Sequence, residues 1–409
     1  MSFLQDYAIV TQNNESPASF HLFSSLVALS SIVSGKVWLD MGLFCIRPNI
    51  YVVLTGHPGV KKTTAMAISK RLLREVGDQV PLSAECQTKE ALTQSMSGKS
   101  KPCSVKPGQV PHKFGPLDKE KSKFLYCPMA VFVTELSQFV GGSNAAHMLD
   151  FLTTIYDEEQ YTNETKGKGV DVLPMPYLTL LGCTVPDWIT AKLKEDVISG
   201  GFSRRTIFVY ENHTNLRIPI PYVTPEMEKA WLRVVITAKK LLAIKGPYEW
   251  GEGAKDFYCD WYVNLKKPED PLLEGWYNSV HIQMLKIAML ISASEWDTKS
   301  QHTIEVNHMR MSMELLTTVE QNIPKVFKGV GRNELFGISN KIVEMLSIAP
   351  GSALPERLVK KDLFRDANID EIGRMINHLV ATKQIKKEQR KHPVTNLVEI
   401  FLVHVKATV

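Results

Sequence analysis

Apolar positions fall into two registers along the chain, one helical and one extended. After Ser16-Pro17, the residues Phe20, Leu22, Phe23, Leu26 and Val27 recur at helical spacing, so a helix begins there and buries that face. The stretch from Phe20 to Val33 is too short and too serine-rich to span a bilayer, and it predicts a core helix. Residues 1–48 are expected to be mostly helical. Asn49-Ile-Tyr-Val-Val-Leu-Thr55 is a β-branched run with the length of a buried strand. A Gly/Pro turn and a helix over Lys62 to Val76 follow. Strand, glycine turn and helix in that order make half of a βαβ unit.

From Ser95 to Lys123 the chain turns polar and basic, with recurring Gly and Pro, and predicts a long loop or hairpin insertion. Met129–Thr134 is a second buried strand, and a helix is expected over Asn144–Tyr156. Tyr161 to Leu173 predicts two short strands around a Lys166-Gly-Lys168-Gly tip. Tyr177–Leu181 and Thr206–Tyr210 are the third and fourth strands. Beyond Pro221 the pattern is helical: Pro225–Leu242, Trp276–Ser294 and Val306–Ile323. A Gly-rich joint at 328–332 leads to helices over Asn340–Ile348, Glu356–Phe364 and Ile369–Thr382. Strands at Ile385–Gln389 and Leu397–His404 close the chain in the outline of a winged helix. The organisation predicted is a helical segment over 1–48, an α/β core over 49–215 with an insertion at 97–123 and a hairpin at 161–173, a helical lid over 216–330, and a winged helix over 335–409.

Composition narrows the class. The chain has 409 residues, 44% hydrophobic and 22% charged, which excludes disorder and collagen-like repeats and suits two or three domains. Six scattered cysteines form no CxxC pair or metal-like spacing, so a reducing compartment is the natural reading. The start, MSFLQDYAIV, lacks the basic residues and apolar core of a signal peptide. Formal charge is +5, and residues 335–409 hold twelve Lys/Arg against eight Asp/Glu. That local excess fits either a polyanion partner or a solvated surface.

The chemistry centres on Gly56-His57-Pro58-Gly59-Val60-Lys61-Lys62-Thr63-Thr64, between a strand and a helix, where a phosphate-binding loop belongs. Backbone N–H groups and the helix N-terminus can surround the triphosphate of ATP. Lys62 can reach the β and γ oxygens, and Thr63 can ligate Mg²⁺. Lys61 stands where a second glycine is usual. The next strand ends in Thr134-Glu135 where an Asp–Glu pair is usual, which leaves Glu135 as general base and ligand to the metal's water shell. Thr134 can bind metal-bound water only through its hydroxyl. Thr184 ends the third strand, as a water-orienting residue or as a strand-end cap.

Gly200-Gly-Phe-Ser-Arg204-Arg205 precedes the fourth strand. Two arginines beside a flexible Gly-Gly suit a finger inserted into a neighbour's nucleotide, with Arg205 ahead of Arg204; an ordinary surface ion pair is the alternative. A finger acting in trans implies a ring. Lys166 and Lys168 would then face a central channel and grip DNA phosphates, unless their tip is a plain exposed turn. The insertion lysines, Lys99, Lys101, Lys106, Lys113, Lys119, Lys121 and Lys123, are a second candidate. His281 and Lys286 lie in an apolar helix that is core first, and either could also approach the γ-phosphate.

The blocks GHPGVKKTTA, VFVTELSQF, DEEQYTNETKGKGVDVLPMPYLTLLGCTVPDWI and GGFSRRTIFV resemble, over residues 15–325, the phage and mobile-element P-loop ATPases known mainly as a domain of unknown function and described as helicase or primase-helicase components. A basic residue at the second-glycine position is common there. The order of parts is also similar to the AAA+ clade with a hairpin before the first sensor, which includes the minichromosome-maintenance-type replicative helicases. The resemblance implies an α/β P-loop NTPase core with a helical lid and a C-terminal winged helix. It also implies MgATP on Lys62 and Thr63, water activation by Glu135, phosphate sensing by Thr184, Arg205 in trans, and DNA on Lys166 and Lys168. The absent acid at 134 and the lack of a clear sensor arginine in the lid depart from that pattern.

The function expected is a ring-forming DNA translocase, with a hexamer the commonest ring for this architecture, working as a replicative helicase on a single strand in its pore. A primase or other replication proteins would be separate chains, no membrane is involved, and the compartment is the host cytoplasm. Two other classes stay open: a nucleotide-switched loader or initiator, and an ATPase of packaging or defence that touches no nucleic acid.

Overall fold

The computed structural model describes residues 2–111, 121–141, 145–157, 159–165, 169–192, 201–214, 216–268, 273–297, 301–327, 334–365, 368–391 and 398–405. Two compact units divide the chain, residues 1–330 and 331–409.

The first unit is α/β. Its strands, in chain order, begin with β1 (Val37–Asp40), β2 (Cys45–Ile46), β3 (Tyr51–Thr55) and β4 (Lys101–Ser104). Next come β5 (Lys123–Val133), β6 (Gln160–Thr165), β7 (Gly169–Pro174) and β8 (Pro176–Thr184). The last are β9 (Thr206–Tyr210), β10 (Gly246–Trp250) and β11 (Thr303–Ile304). The main sheet has the order β4-β5-β8-β3-β9. β5, β8, β3 and β9 are mutually parallel, and β4 joins the edge antiparallel. Every residue of β3 and β8 is buried, which accounts for their unbroken apolar runs: helices cover both faces of a parallel sheet.

Crossovers between parallel strands supply those helices, among them Lys62–Val76 and Ala145–Ile155. Helix Ala18–Val33 packs on the helix Lys62–Val76, on β8 and on the helix Val280–Glu295. It is the one described helix long and apolar enough to cross a membrane, and most of it is buried inside the fold. Two of its buried serines are satisfied across the fold. Ser31 Oγ lies 2.7 Å from Thr179 Oγ1, and Ser30 Oγ donates to the Pro48 carbonyl at 2.7 Å. Helix Val280–Glu295 is likewise buried on nearly all sides, as befits a helix apolar all round.

Two differences from the sequence reading concern this unit. Residues 1–48 are not helical to their end: β1 and β2 form a second sheet, β11-β10-β1-β2. β1 pairs with β2 in a short antiparallel turn and, on its other side, with β10 in parallel from Val37↔Gly246 to Leu39↔Tyr248, a partner that no local pattern announces. The helix expected over Trp276–Ser294 is two, Glu274–Tyr277 and Val280–Glu295. The basic insertion is a hairpin arm at its root, with Lys101↔Tyr126 to Ser104↔Lys123 paired; Lys113 and Lys119 lie outside the described residues.

The second unit packs helices Glu334–Ile348, Glu356–Asp362 and Ile369–Ala381 against a sheet of β12 (Ala353–Pro355), β13 (Ile385–Lys391) and β14 (Val398–His404), in the order β12-β14-β13. Ile342, Leu346, Val359, Ile372, Ile376 and Leu402 form its core. A capping box starts its third helix: Asn368 Oδ1 accepts the Glu371 N–H at 2.9 Å, and Glu371 Oε2 accepts the Asn368 N–H at 3.0 Å.

Candidate functional site

The glycine-rich loop leaves the carboxyl end of β3 and enters the helix Lys62–Val76. Two of its positions demand glycine geometry. A Cβ on Gly56 would stand 2.4 Å from the Glu211 carbonyl oxygen, because the chain leaving β9 crosses directly over it. Gly59 sits at φ +92°. Lys61, in the place of the usual second glycine, still takes the left-handed conformation, φ 58° and ψ 32°. The backbone there takes the left-handed turn that glycine adopts freely, with a lysine held in it at a cost of roughly 1–2 kcal/mol.

Lys62 Nζ folds into the loop and donates to the carbonyls of Gly56 at 2.5 Å and His57 at 3.1 Å. Burial lowers its pKa, and the neighbouring Cys183 and Glu135 pull it back up. Those neighbours place three strand ends together. Thr55 and Thr184 are register partners at the carboxyl ends of β3 and β8, and Val133 pairs with Gly182 one strand further on. Thr134 and Glu135 follow at once, both exposed. Thr63 is exposed at the helix start, while Thr184 is 2% exposed. Lys62, Glu135 and Thr184 thus converge at the carboxyl edge of the sheet, where ligands of open α/β sheets bind. The cradle suits a magnesium triphosphate: glycine-shaped backbone, a helix N-terminus, a lysine and a carboxylate.

Sequence reasoning missed Glu85. It follows a short parallel contact of Leu82 with Ala130 that brings the chain alongside β5. Its Oε2 accepts the Thr134 hydroxyl at 3.0 Å, and its Oε1 accepts Lys70 Nζ at 2.6 Å. These two bonds, Lys70 first, hold its carboxyl below the usual range. An ionised acid therefore stands beside Thr134, where the sequence shows none on the strand. A lone Glu in a loop carries no local signal of that placement.

The arginines lie elsewhere. Arg205 immediately precedes β9, whose first residue, Thr206, pairs with Tyr51 at the start of β3. Arg204 and Arg205 are therefore at the amino ends of the strands, roughly 15 Å of strand away from the loop of the same copy. Arg205 is committed: Nε and Nη2 both lie 3.0 Å from Asp157 Oδ2, and Nη1 donates to the Gly201 carbonyl at 3.1 Å. Arg204 is exposed. Of the two arginines, Arg205 is held by Asp157 within this copy and Arg204 is the more exposed. Gly201 is not a flexible joint either. It opens the short helix Gly201–Arg205, and a Cβ there would meet Thr153 at 2.4 Å. Gly200 lies outside the described residues, as do Lys166 and Lys168.

His281 and Lys286 are also at the amino edge, on the side away from the glycine-rich loop. Lys286 Nζ donates to Asn49 Oδ1 at 3.0 Å and sits 3.6 Å from the centre of the Tyr156 ring.

The N-terminal segment reaches the loop as well. Glu15 accepts the Ile218 N–H at 2.8 Å on one oxygen and faces Lys61 Nζ at 3.5 Å with the other. Ser19 Oγ donates to Glu211 at 2.6 Å. Compared with known protein families and with curated proteins, the chain matches no family model and no curated sequence.

Proposed function

We propose that the chain is a ring-forming, ATP-dependent DNA translocase, a replicative DNA helicase of phage or mobile-element type built on an AAA+-like P-loop core. The observation that carries this reading is the separation of the candidate groups. Lys62, Glu135 and Thr184 stand at the carboxyl edge of the sheet, and Arg204 stands at the amino edge. One copy cannot close a site on itself, but two copies in the same orientation can.

Within such a site the loop amides and Lys62 hold the β and γ phosphates, Lys62 giving up its loop carbonyls to do so. Thr63, Glu85 and Glu135 offer the oxygens that would hold magnesium and its water shell, and the metal supplies charge neutralisation at the β and γ oxygens. β8 separates the loop strand from the acid strand, so two strand spacings, about 10 Å, leave room for a γ-phosphate and a water between Lys62 and Glu135. Glu135 takes the proton of that water, Thr184 orients it, and Arg204 of the adjoining copy meets the charge that develops on the phosphate.

The hairpin of β6 and β7 supports the DNA part. It pairs only with itself in a two-stranded sheet and exposes Val170 and Val172, as an element reaching toward a partner would. Lys166 and Lys168 fall between its two strands in the sequence and lie outside the described residues; they would follow phosphates without reading bases. The second unit, a basic three-helix and three-strand module, is read as a winged helix that recruits DNA or another replication protein. The compartment is the cytoplasm of a host cell.

The test is unwinding of a forked duplex with MgATP. Unwinding that is lost in Lys62→Ala and Glu135→Gln supports the helicase. DNA-stimulated hydrolysis without unwinding would point to a loader. Hydrolysis indifferent to nucleic acid would sink the reading.

A further inference from the structure

A cavity of about 170 Å³ lies between the first two helices, Phe3–Thr11 and Ala18–Val33, with Leu216 of the chain leaving β9 on its wall. Sites for whole drug-sized ligands begin at roughly 300 Å³, so this one suits a single ring system. Among the described residues, none that lines it is charged. His21 and Ser16 both line it, at 4% and 5% exposure, and among the described residues nothing bonds to either His21 ring nitrogen or to Ser16 Oγ. Folded proteins pair nearly all of their buried polar groups, so two such groups facing one space mark a partner that comes from outside the chain.

The chemistry of that partner follows from the lining. Burial lowers the His21 pKa to about 4, so near pH 7 the ring is neutral and offers one N–H donor and one acceptor. The Ser16 hydroxyl donates and accepts. Leu4, Ala8 and Leu22 supply apolar wall. A phosphate, a carboxylate or an ammonium would find nothing here to balance its charge. A neutral, flat heterocycle with a donor beside an acceptor fits, and adenine carries such an edge, its N6 amine next to N7.

Placement selects a nucleobase among such rings. The lining residues alternate with residues that touch the phosphate loop. Glu15, between Asn14 and Ser16, faces Lys61 Nζ at 3.5 Å. Ser19, two positions before His21, donates to Glu211 at 2.6 Å, and the Glu211 carbonyl crosses over Gly56.

We infer that this cavity is a base subsite, which takes an adenine ring on His21 and Ser16. The ring arrives either on ATP held by the phosphate loop or as a free nucleoside, and the chemistry of recognition is the same. Only the first source rests on the ATP reading.

The experiment titrates full-length wild-type and Lys62→Ala protein by calorimetry with adenosine, with ATP and with inorganic tripolyphosphate. Adenosine is expected to bind both proteins saturably, and His21→Phe and Ser16→Ala are each expected to weaken it at least about tenfold. The small change in Ser16→Ala keeps the test valid should His21→Phe fail to fold. ATP bound far more tightly than adenosine by the wild type, with the excess lost in Lys62→Ala, identifies the loop nucleotide as the source. ATP bound no more tightly than adenosine identifies a free nucleoside. Adenosine that does not bind, which leaves water as the occupant, or that binds alike with and without both substitutions, overturns the inference. Tripolyphosphate reports on the loop alone, so failure of the base subsite and failure of the ATPase reading are seen separately.

Discussion

The Thr134 hydroxyl donates to Glu85 Oε2 at 3.0 Å, joining the end of an interior strand to a loop that is 49 positions earlier in the chain. Lys70, from the phosphate-loop helix, binds the other oxygen of the same carboxylate at 2.6 Å. A strand end that carries no charge of its own at position 134 is thus backed by a carboxylate.

Glu85→Gln is expected to raise the Mg²⁺ concentration needed for half-maximal ATP hydrolysis by about 10–100-fold, the usual cost of losing a supporting ligand. A magnesium titration of the steady-state rate checks this. Unchanged magnesium dependence would reduce Glu85 to a strut for Lys70.

Mixing two dead variants tests the shared site. Lys62→Ala lacks the loop lysine and Arg204→Ala lacks the outward arginine, so each alone should hydrolyse ATP at least about 100-fold more slowly. Random mixing in equal amounts pairs an intact loop with an intact arginine at about one interface in four, which should restore about a quarter of wild-type turnover. No recovery above the separate variants would place Arg204 outside the site.

Lys61 is held in a glycine-like conformation, and its exposed pair with Glu15 is of the kind worth little. Lys61→Gly should leave stability the same or raise it by up to about 1 kcal/mol and should keep ATP uptake. Lys61→Val should cost about 1–3 kcal/mol, since a branched side chain fits that backbone poorly. Urea midpoints for the two variants measure both.

His21 is 4% exposed, and neither ring nitrogen has a hydrogen-bond partner. Burial lowers its pKa from 6.5 to about 4. The unfolded chain therefore takes up a proton below pH 6.5 that the folded protein refuses. The stability linked to His21 is complete above that pH and is lost as pH falls toward 4. Between pH 7 and pH 5 the loss is about 2 kcal/mol. Urea denaturation at the two pH values, with His21→Phe flattening the difference, checks the sign and the size.

Lys62 and Glu135 were legible as candidates because the pattern around each is local: a glycine turn between a strand and a helix, and an acid at the end of an apolar run. The strands that carry them were found for the same reason. Glu85 was not legible, since only the Leu82–Ala130 contact turns that loop toward β5. Lys286 looked like one polar interruption of a core helix, and its company, Arg47 and Asn49, comes from the far side of the fold. β1 and β10 escaped because each is short and they are 209 positions apart. The preference between Arg204 and Arg205 turned on Asp157, which no spacing connects to them.

Glu15 grips Lys61 on one side and the Ile218 amide on the other. The strap that carries the chain from β9 toward the helical half is thereby moored to the cradle. The carboxylate of Glu15 is thus one contact shared by two segments that are 157 positions apart in the chain, so a substitution there loosens the loop and the strap together.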